Sequence, residues 1–202
     1  MGKWIALGVV LLIVLMGVGC AVTSYNGLVG ASQAVDAQWG QVENVYQRRA
    51  DLIPNLVETV RGFATQERTV LTEVTQARAR ATGVQLTPEA LNDPKAMERF
   101  QAAQQQLSGA LSRLLVTVER YPELKSNQNF LALQSQLEGT ENRIAVSRRD
   151  YIEAVRAYNT EITTFPGRIW RAVMYPSAKE MATFDIAAEE MKAPKVDFGT
   201  KQ

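Results

Sequence analysis

The stretch from residue 35 to residue 64, VDAQWGQVENVYQRRADLIPNLVETVRGFA, decides the fold class of this chain. Its apolar residues recur at steps of three and four, which is the spacing of one face of an α-helix. That face consists of Val35, Trp39, Val42, Tyr46, Ala50, Ile53, Val57, Val60 and Ala64, and it is predicted to continue to Leu71 and Val74, with Glu67 as its one polar residue. Pro54 lies inside the pattern and removes one backbone hydrogen bond. We therefore expect a kink near residues 51–54, or two nearly collinear helices with Asp51 able to cap the second.

The same periodicity predicts more helices further along the chain. Residues 82–93 form a connector, and Asp93 followed by Pro94 is a helix-start signal. That helix ends at Tyr121-Pro122, because the residue before a proline is disfavoured in a helix. Ser126 can cap a third long helix, which Pro166-Gly167 breaks.

The end of the chain predicts a short amphipathic piece and then a last helix. A capping box from Ser177 to Glu180 would open this helix, which would run to about Met191. The apolar faces of several helices are buried only when the helices pack on one another. The predicted fold is therefore all-α: an elongated antiparallel bundle of about four helices over residues 25–192, followed by an extended tail at 193–202.

An apolar segment precedes the bundle, and residues 1–24 are predicted to be a membrane anchor. Residues 5–22 carry no charge and would span about 27 Å as a helix, close to the hydrocarbon thickness of a bilayer. Membrane contact is expected over residues 4–22. Three interpretations remain open: a retained transmembrane helix, a lipoprotein signal with acylation at Cys20, or a signal peptide cleaved after a residue such as Gly19.

The charges around the segment predict its orientation. Lys3 precedes it, whereas the next charged residue is Asp36 and the next basic one is Arg48. The positive-inside rule then places the N-terminus in the cytoplasm and the bundle outside it.

Composition excludes several classes of function. Of 22 basic residues only Lys3 precedes residue 25, while all 21 acidic residues follow it, so the chain beyond residue 24 carries no net charge. Nucleic acid is therefore not an expected partner, because phosphate neutralisation needs an excess of basic residues. The chain has no histidine and one cysteine, Cys20. Catalytic triads with histidine, His-bearing zinc sites and intramolecular disulfides are excluded, and no cofactor is predicted.

Several long strings of residues are similar to the LemA family. They are YNGLV at 25–29, QRRADLIPNLV at 47–57, SNQNF at 126–130, LEGTENRIA at 137–145, RRDY at 148–151, YNT at 158–160 and FP at 165–166. The resemblance covers roughly residues 4–198, and the chain departs from the usual pattern at residues 168–181. It implies a bacterial membrane protein with a helical bundle and no known enzyme activity. Some relatives are associated with magnetosome membranes or encoded near membrane-protease or stress genes, which suggests an envelope scaffold or adaptor.

Two polar corners of the predicted bundle are candidate interaction sites or structural networks. One contains Arg48, Arg49 and Asp51, and the other contains Glu138, Glu141, Asn142 and Arg143. We expect the two corners to approach each other in the fold. Asn127 and Asn129 are predicted to cap a helix, with recognition of a partner as the alternative.

The predicted function is that of a bacterial inner-membrane, single-pass scaffold or adaptor with an extracytoplasmic or periplasmic bundle. It would act through a protein partner or as a homo-oligomer, and it would not be an enzyme. One alternative is a homo-oligomer that shapes the membrane. Another is a metal-dependent enzyme that uses Glu138 and Glu141, which lie three residues apart on one helix face.

Overall fold

The structure is a computed structural model that describes residues 2–184, and these residues form helices and connectors with no strand. The α-helices are α1 (Gly2–Phe63), α2 (Arg68–Gly83), α3 (Pro94–Val118), α4 (Pro122–Lys125), α5 (Gln128–Thr163) and α6 (Gly167–Met174). A short 3₁₀ helix, Pro88–Asn92, lies between α2 and α3. The prediction of an all-α fold is confirmed.

Helix α1 runs without interruption through Pro54, so the alternative of two collinear helices is wrong. The predicted continuation of its apolar face to Leu71 and Val74 is also wrong, because α1 ends at Phe63 and the chain turns back into α2. Pro54 leaves the carbonyl of Ala50, four residues earlier, without its helical donor. Arg78 of α2 donates to that oxygen from Nε at 2.7 Å, which satisfies it from a neighbouring helix. Asp51 does not cap a helix, because its carboxylate accepts a hydrogen bond from Gln47 Nε2 at 2.7 Å within α1.

Polar contacts fix the directions in which the long helices run. Arg49 of α1 pairs with Glu141 of α5, and Ser24 reaches Glu161 further along, so α1 and α5 are antiparallel. Helices α2 and α3 are also antiparallel, because their ion pairs join Glu73 with Arg113 and Glu67 with Arg120. Helix α3 runs parallel to α1, since it contacts Tyr46 through Phe100 and Arg49 through Ser108.

The interior contains two apolar clusters, one beyond the other along α1. The proximal core, nearer the N-terminal segment, includes Val35, Trp39, Val42, Phe100, Tyr151 and Phe184. The distal core includes Ile53, Val57, Val74, Leu107, Leu114 and Phe130. Polar residues around Arg49 lie between the two clusters, and they form the candidate site described below.

The helix ends agree only in part with the predicted signals. Asp93 caps α3 as predicted, accepting from Lys95 N at 2.9 Å. Helix α3 ends at Val118, before Tyr121. The predicted cap at Ser126 is wrong, and the predicted cap at Asn127 is confirmed: its side chain accepts from the backbone of Asn129 and Phe130. The break at Pro166-Gly167 and the short α6 are confirmed.

Residues 175–184 form a non-helical strap, so the predicted capping box at 177–180 is wrong. The strap crosses α5 with regular hydrogen bonds: Tyr151 Oη donates to Ala182 O at 3.0 Å, and Asn159 bonds both backbone groups of Met181. Its last described residue, Phe184, packs against Trp39 in the proximal core. These contacts stabilise the extended strap, and a helix formed by the same residues would lose them. The predicted helix end near Met191 and the tail at 193–202 lie outside the described residues.

The first part of α1 carries the apolar segment, and residues 4–22 are exposed on nearly every side. This helix contains a window of mean hydropathy 2.9 and is long and apolar enough to cross a membrane. Helix α1 continues past residue 24 into the bundle without a break.

Candidate functional site

Arg49 is the centre of the candidate site, and only 1% of its surface is exposed. Its Nη1 donates to Glu141 Oε1 at 2.9 Å and to Ser108 Oγ at 3.0 Å. Its Nη2 donates to Gln104 Oε1. Gln104 in turn donates to the carbonyl of Ala81 at 3.4 Å, so this polar layer joins α1, α2, α3 and α5.

The sequence brings these groups together through helical periodicity. Arg49 lies three residues after Tyr46 and four before Ile53, so it shares the buried face of α1 with both. Arg48, one residue away, points to solvent. Gln104 occupies a core position of α3 in the series Met97, Gln104, Leu111 and Val118, and it is 8% exposed.

The electrostatics of the layer are asymmetric. The Arg49 side chain is 2% exposed, whereas the Glu141 side chain is 47% exposed. Water therefore screens the carboxylate more than the guanidinium, and the buried cation depends on its neutral acceptors as well as on Glu141. The Arg49 guanidinium also lies 5.1 Å from the centre of the Tyr46 ring, a cation–π distance.

The pKa of the Tyr46 phenol reflects both the burial and the charges of this region. Burial raises the pKa of its phenol, although the nearby cations Arg148 and Arg49 oppose the rise and Glu141 adds to it. The neutral phenol is thus the stable form, and its ring serves as the apolar neighbour of a buried cation. Arg49 Nε has no hydrogen-bond partner within residues 2–184.

Two grooves lie on either side of the polar layer. One, of about 300 Å³, is lined by Leu56, Leu111, Leu115 and Leu137, with Glu141 and the hydroxyl of Ser112 at its edge. We call it the leucine groove. The other, of about 330 Å³, lies between Tyr46, Phe100 and Gln104 and the connector that follows α2. The leucine groove offers apolar surface with hydrogen-bonding groups beside it, which suits contact with another polypeptide.

The structure brings together Arg49 and Glu141, so the expected approach of the two predicted corners is confirmed. The other predicted residues stay outside the layer. Glu138 accepts from Gln134 Nε2 at 3.0 Å, and Asp51 pairs with Gln47. The remaining predicted residues of the two corners are exposed: Arg48, Asn142 and Arg143.

Sequence reasoning missed Ser108 and did not single out Gln104. Gln104 was detectable, because a polar residue on an otherwise apolar seam needs a buried partner. Ser108 carries no comparable signal. Asn127 and Asn129 contribute to the start of α5 through a side chain and a backbone N–H respectively.

Metal binding by the predicted carboxylates has no geometric support in residues 2–184. No group of three or more Cys, Asp or Glu side chains in that part of the chain could hold an ion. Glu138 and Glu141 are directed to different partners, Gln134 and Arg49. Cys20 is a free, exposed thiol within the apolar segment.

The fold and the site define a class of protein: an all-α bundle with a buried polar layer, continuous with an N-terminal helix apolar enough to cross a membrane. The model of the LemA family matches residues 38–198, and the chain belongs to the LemA family. The search of curated proteins gave no match.

Proposed function

We propose that this protein is a membrane-anchored, non-enzymatic scaffold or adaptor that acts through protein contacts or self-assembly. The observation that carries the proposal is the unbroken helix α1, whose first third is apolar and exposed and whose remainder forms the core of the bundle. A helix of this kind holds the bundle at a set position relative to a bilayer.

The exposed apolar segment supports the anchor. Its residues 4–22 would extend about 28 Å as a helix, which matches a hydrocarbon core of about 30 Å. Leu11, Leu12 and Ile13 are each more than half exposed, and they are not covered by the bundle. Such a surface is stable in lipid and not in water.

The proposed setting is the bacterial inner membrane, with the N-terminus in the cytoplasm and the bundle outside it. Lys3 on one side and the absence of a basic residue until Arg48 on the other support this orientation. Acylation of Cys20 is the alternative form of the anchor, and it would leave the bundle in an exported compartment as well.

The leucine groove is the surface through which we propose that the bundle contacts protein. Its lining combines four leucines with the carboxylates of Glu138 and Glu141 and the hydroxyls of Ser108 and Ser112. This is the pattern of a small interface with an apolar centre and a polar edge. Residues on three helices line it, so it depends on the assembled bundle and not on one segment.

Native mass spectrometry of the full chain, extracted gently from its own membrane, tests the proposal. A defined homo-oligomer supports self-assembly, and a stoichiometric second protein supports an adaptor. A monomer without protein partners contradicts both. The same spectrum shows whether Met1 is retained or Cys20 carries acyl chains.

A photo-crosslinking amino acid then locates the contact. Placed at Ser112, at the edge of the leucine groove, it is expected to crosslink to the partner or to a second copy. Placed at Ser135, an exposed position of α5 outside the groove, it is expected to give no such product. Equal yields at both positions would show that the groove is not the contact surface.

A further inference from the structure

We infer that α6, together with Phe165 two residues before its start, forms a second membrane contact. This contact lies in the headgroup layer of the bilayer. The inference rests on the proposed membrane anchor. It assigns a lipid surface as the occupant of an apolar face that is exposed among residues 2–184.

The position of α6 is the first argument. Its first residue, Gly167, packs so closely on α5 that a side chain there would come within 1.9 Å of the Glu161 carbonyl oxygen. Glu161 in turn accepts from Ser24 at 3.4 Å. Just beyond the other end of α6, the Tyr175 ring lies 5.2 Å from the ring of Tyr25.

A side chain at Gly27 would also lie 3.5 Å from Glu161 Oε1, so both ends of α6 lie at the level of residues 24–27 of α1. Eight residues of α-helix extend about 12 Å, so a helix lying along α1 would have its ends about eight residues apart on α1. Helix α6 must cross the end of the bundle instead. If α1 stands across a bilayer, α6 lies roughly in the plane of that bilayer.

The depth of α6 is the second argument. The apolar segment ends at residue 22, and α6 lies two to five residues beyond it, which is about 3–8 Å along α1. The polar layer on each side of the hydrocarbon core is about 5–8 Å thick. Helix α6 thus sits at headgroup depth.

The exposed side chains of this region are the third argument. Phe165 is 81% exposed, Val173 71% and Ile169 51%, and the three recur every four residues. The charged residues between 165 and 179 are Arg168, Arg171 and Lys179, with no acid among them. Large apolar side chains combined with basic residues are the composition of helices that lie in membrane interfaces.

Position-specific quenching in the full chain, reconstituted in vesicles of mixed neutral and anionic phospholipid, tests the inference. In a Cys20→Ser background, an environment-sensitive fluorophore is attached at Val173→Cys, at Ile13→Cys inside the segment, or at Val116→Cys. Val116 is the matched control: it is also valine, also 71% exposed, and it lies on α3. The contacts of α3 place Val116 beside the distal core, far along α1 from α6.

We expect lipid-borne quenchers to reduce the signal at 173 and at 13 several-fold more than at 116, and a water-soluble quencher to do the reverse. If 13 responds to lipid but 173 behaves like 116, the anchor stands and the α6 assignment is wrong. If neither 13 nor 173 responds, both proposals fail. Protection of 173 from both quenchers would mean that protein covers this face, which also overturns the lipid assignment.

Discussion

Arg49 brings a full charge into a helix interface, and its acceptors come from α3 and α5. Removing one member of a buried polar set costs more than the set contributes, because the remaining groups lose their partners. Without the Arg49 guanidinium, Gln104 Oε1 and Ser108 Oγ would each lose a hydrogen-bond donor.

We predict that Arg49→Ala lowers the free energy of unfolding by about 2–4 kcal/mol, through orphaned acceptors and lost packing. Arg48→Ala, at the adjacent exposed position, is the matched control and is expected to change it by less than about 0.5 kcal/mol. Urea unfolding of the full chain in detergent micelles, followed by circular dichroism, measures both. Equal effects would show that the polar layer contributes nothing beyond an ordinary surface residue.

Tyr151 predicts how stability changes at alkaline pH. Its side chain is fully buried, and burial raises the pKa of the phenol, with a smaller contribution from the negative charge of Asp36. In the unfolded chain a tyrosine ionises near pH 10. The stability contribution of the neutral phenol is therefore complete below about pH 10 and is lost as pH rises towards the folded pKa, by at most about 1.4 kcal/mol per pH unit.

We expect Tyr151→Phe to flatten this alkaline decline while lowering stability at neutral pH by about 1 kcal/mol, because the hydrogen bond to Ala182 O is lost. The measurement is the urea midpoint at several pH values between 8 and about 11. Tyr46 and Tyr158, whose pKa values are also raised by burial, are expected to leave a residual slope. An unchanged slope in the variant would contradict the argument.

Among single residues, the sequence predicted those that follow a periodic rule. The two polar corners that contain Arg49 and Glu141 are predicted to approach each other, and this pair makes the contact. Their neighbours Arg48, Asn142 and Arg143 could not be separated from them in advance, since a rotation of 100° per residue decides burial and the width of the interface is unknown from sequence.

At the scale of the element, Pro54 shows how a helix tolerates a proline. The carbonyl of Ala50 loses its helical donor, and Arg78 of α2 supplies another. The sequence predicted a disturbance at this site, but the rescue comes from a residue 28 positions away. No local pattern contains such a partner.

A double-mutant cycle tests this rescue. Arg78→Met is expected to destabilise the chain by about 1–3 kcal/mol, because the Ala50 carbonyl is left buried without a donor. In a Pro54→Ala background the backbone N–H of residue 54 can fill that place, so the same substitution is expected to cost about 1 kcal/mol less. Arg80→Met, on the exposed side of α2, is the control. Additive effects would show that the contact is incidental.

The ends of the elements were less predictable than their middles. Asn127 and Ser126 are both residue types that cap helices. Asn127 is the cap of α5 because its side chain accepts from two backbone N–H groups. Ser126 Oγ instead donates to Glu123 O. The capping-box pattern at 177–180 has the right residue types. A helix that began there would lose the hydrogen bonds of Asn159 and Tyr151 to the strap, so these residues stay extended.

At the scale of the whole molecule, the all-α class followed from periodicity, and the positions of α3 and α5 followed from the prolines that flank them. The turn between α1 and α2 did not, because the apolar spacing continues across it to Leu71 and Val74. The lengthwise division into proximal and distal cores could not be predicted, because it depends on the point along α1 at which each neighbouring helix ends. Helix α2 is short, so it covers only the distal part of α1, and the strap closes the proximal part.

We predict that the apolar segment and the bundle behave as one rigid helix. Spin labels at Val22→Cys and Asn44→Cys, in a Cys20→Ser background, are expected to lie about 33 Å apart with a narrow distance distribution. The control pair, Asn44→Cys and Glu58→Cys, lies wholly within the bundle and is expected at about 21 Å. A broad distribution for the first pair alone would show a hinge at the junction.

The unbroken helix has a mechanical consequence. From residue 22 to Phe63, α1 extends about 60 Å beyond the apolar segment, so under the proposed anchoring it acts as a lever whose short arm is in the bilayer. Membrane-spanning helices change their tilt when bilayer thickness changes. A change in tilt of about 10° would sweep the far tip of the bundle through about 10 Å, so a small change in the lipid would become a large displacement at the far end of the bundle.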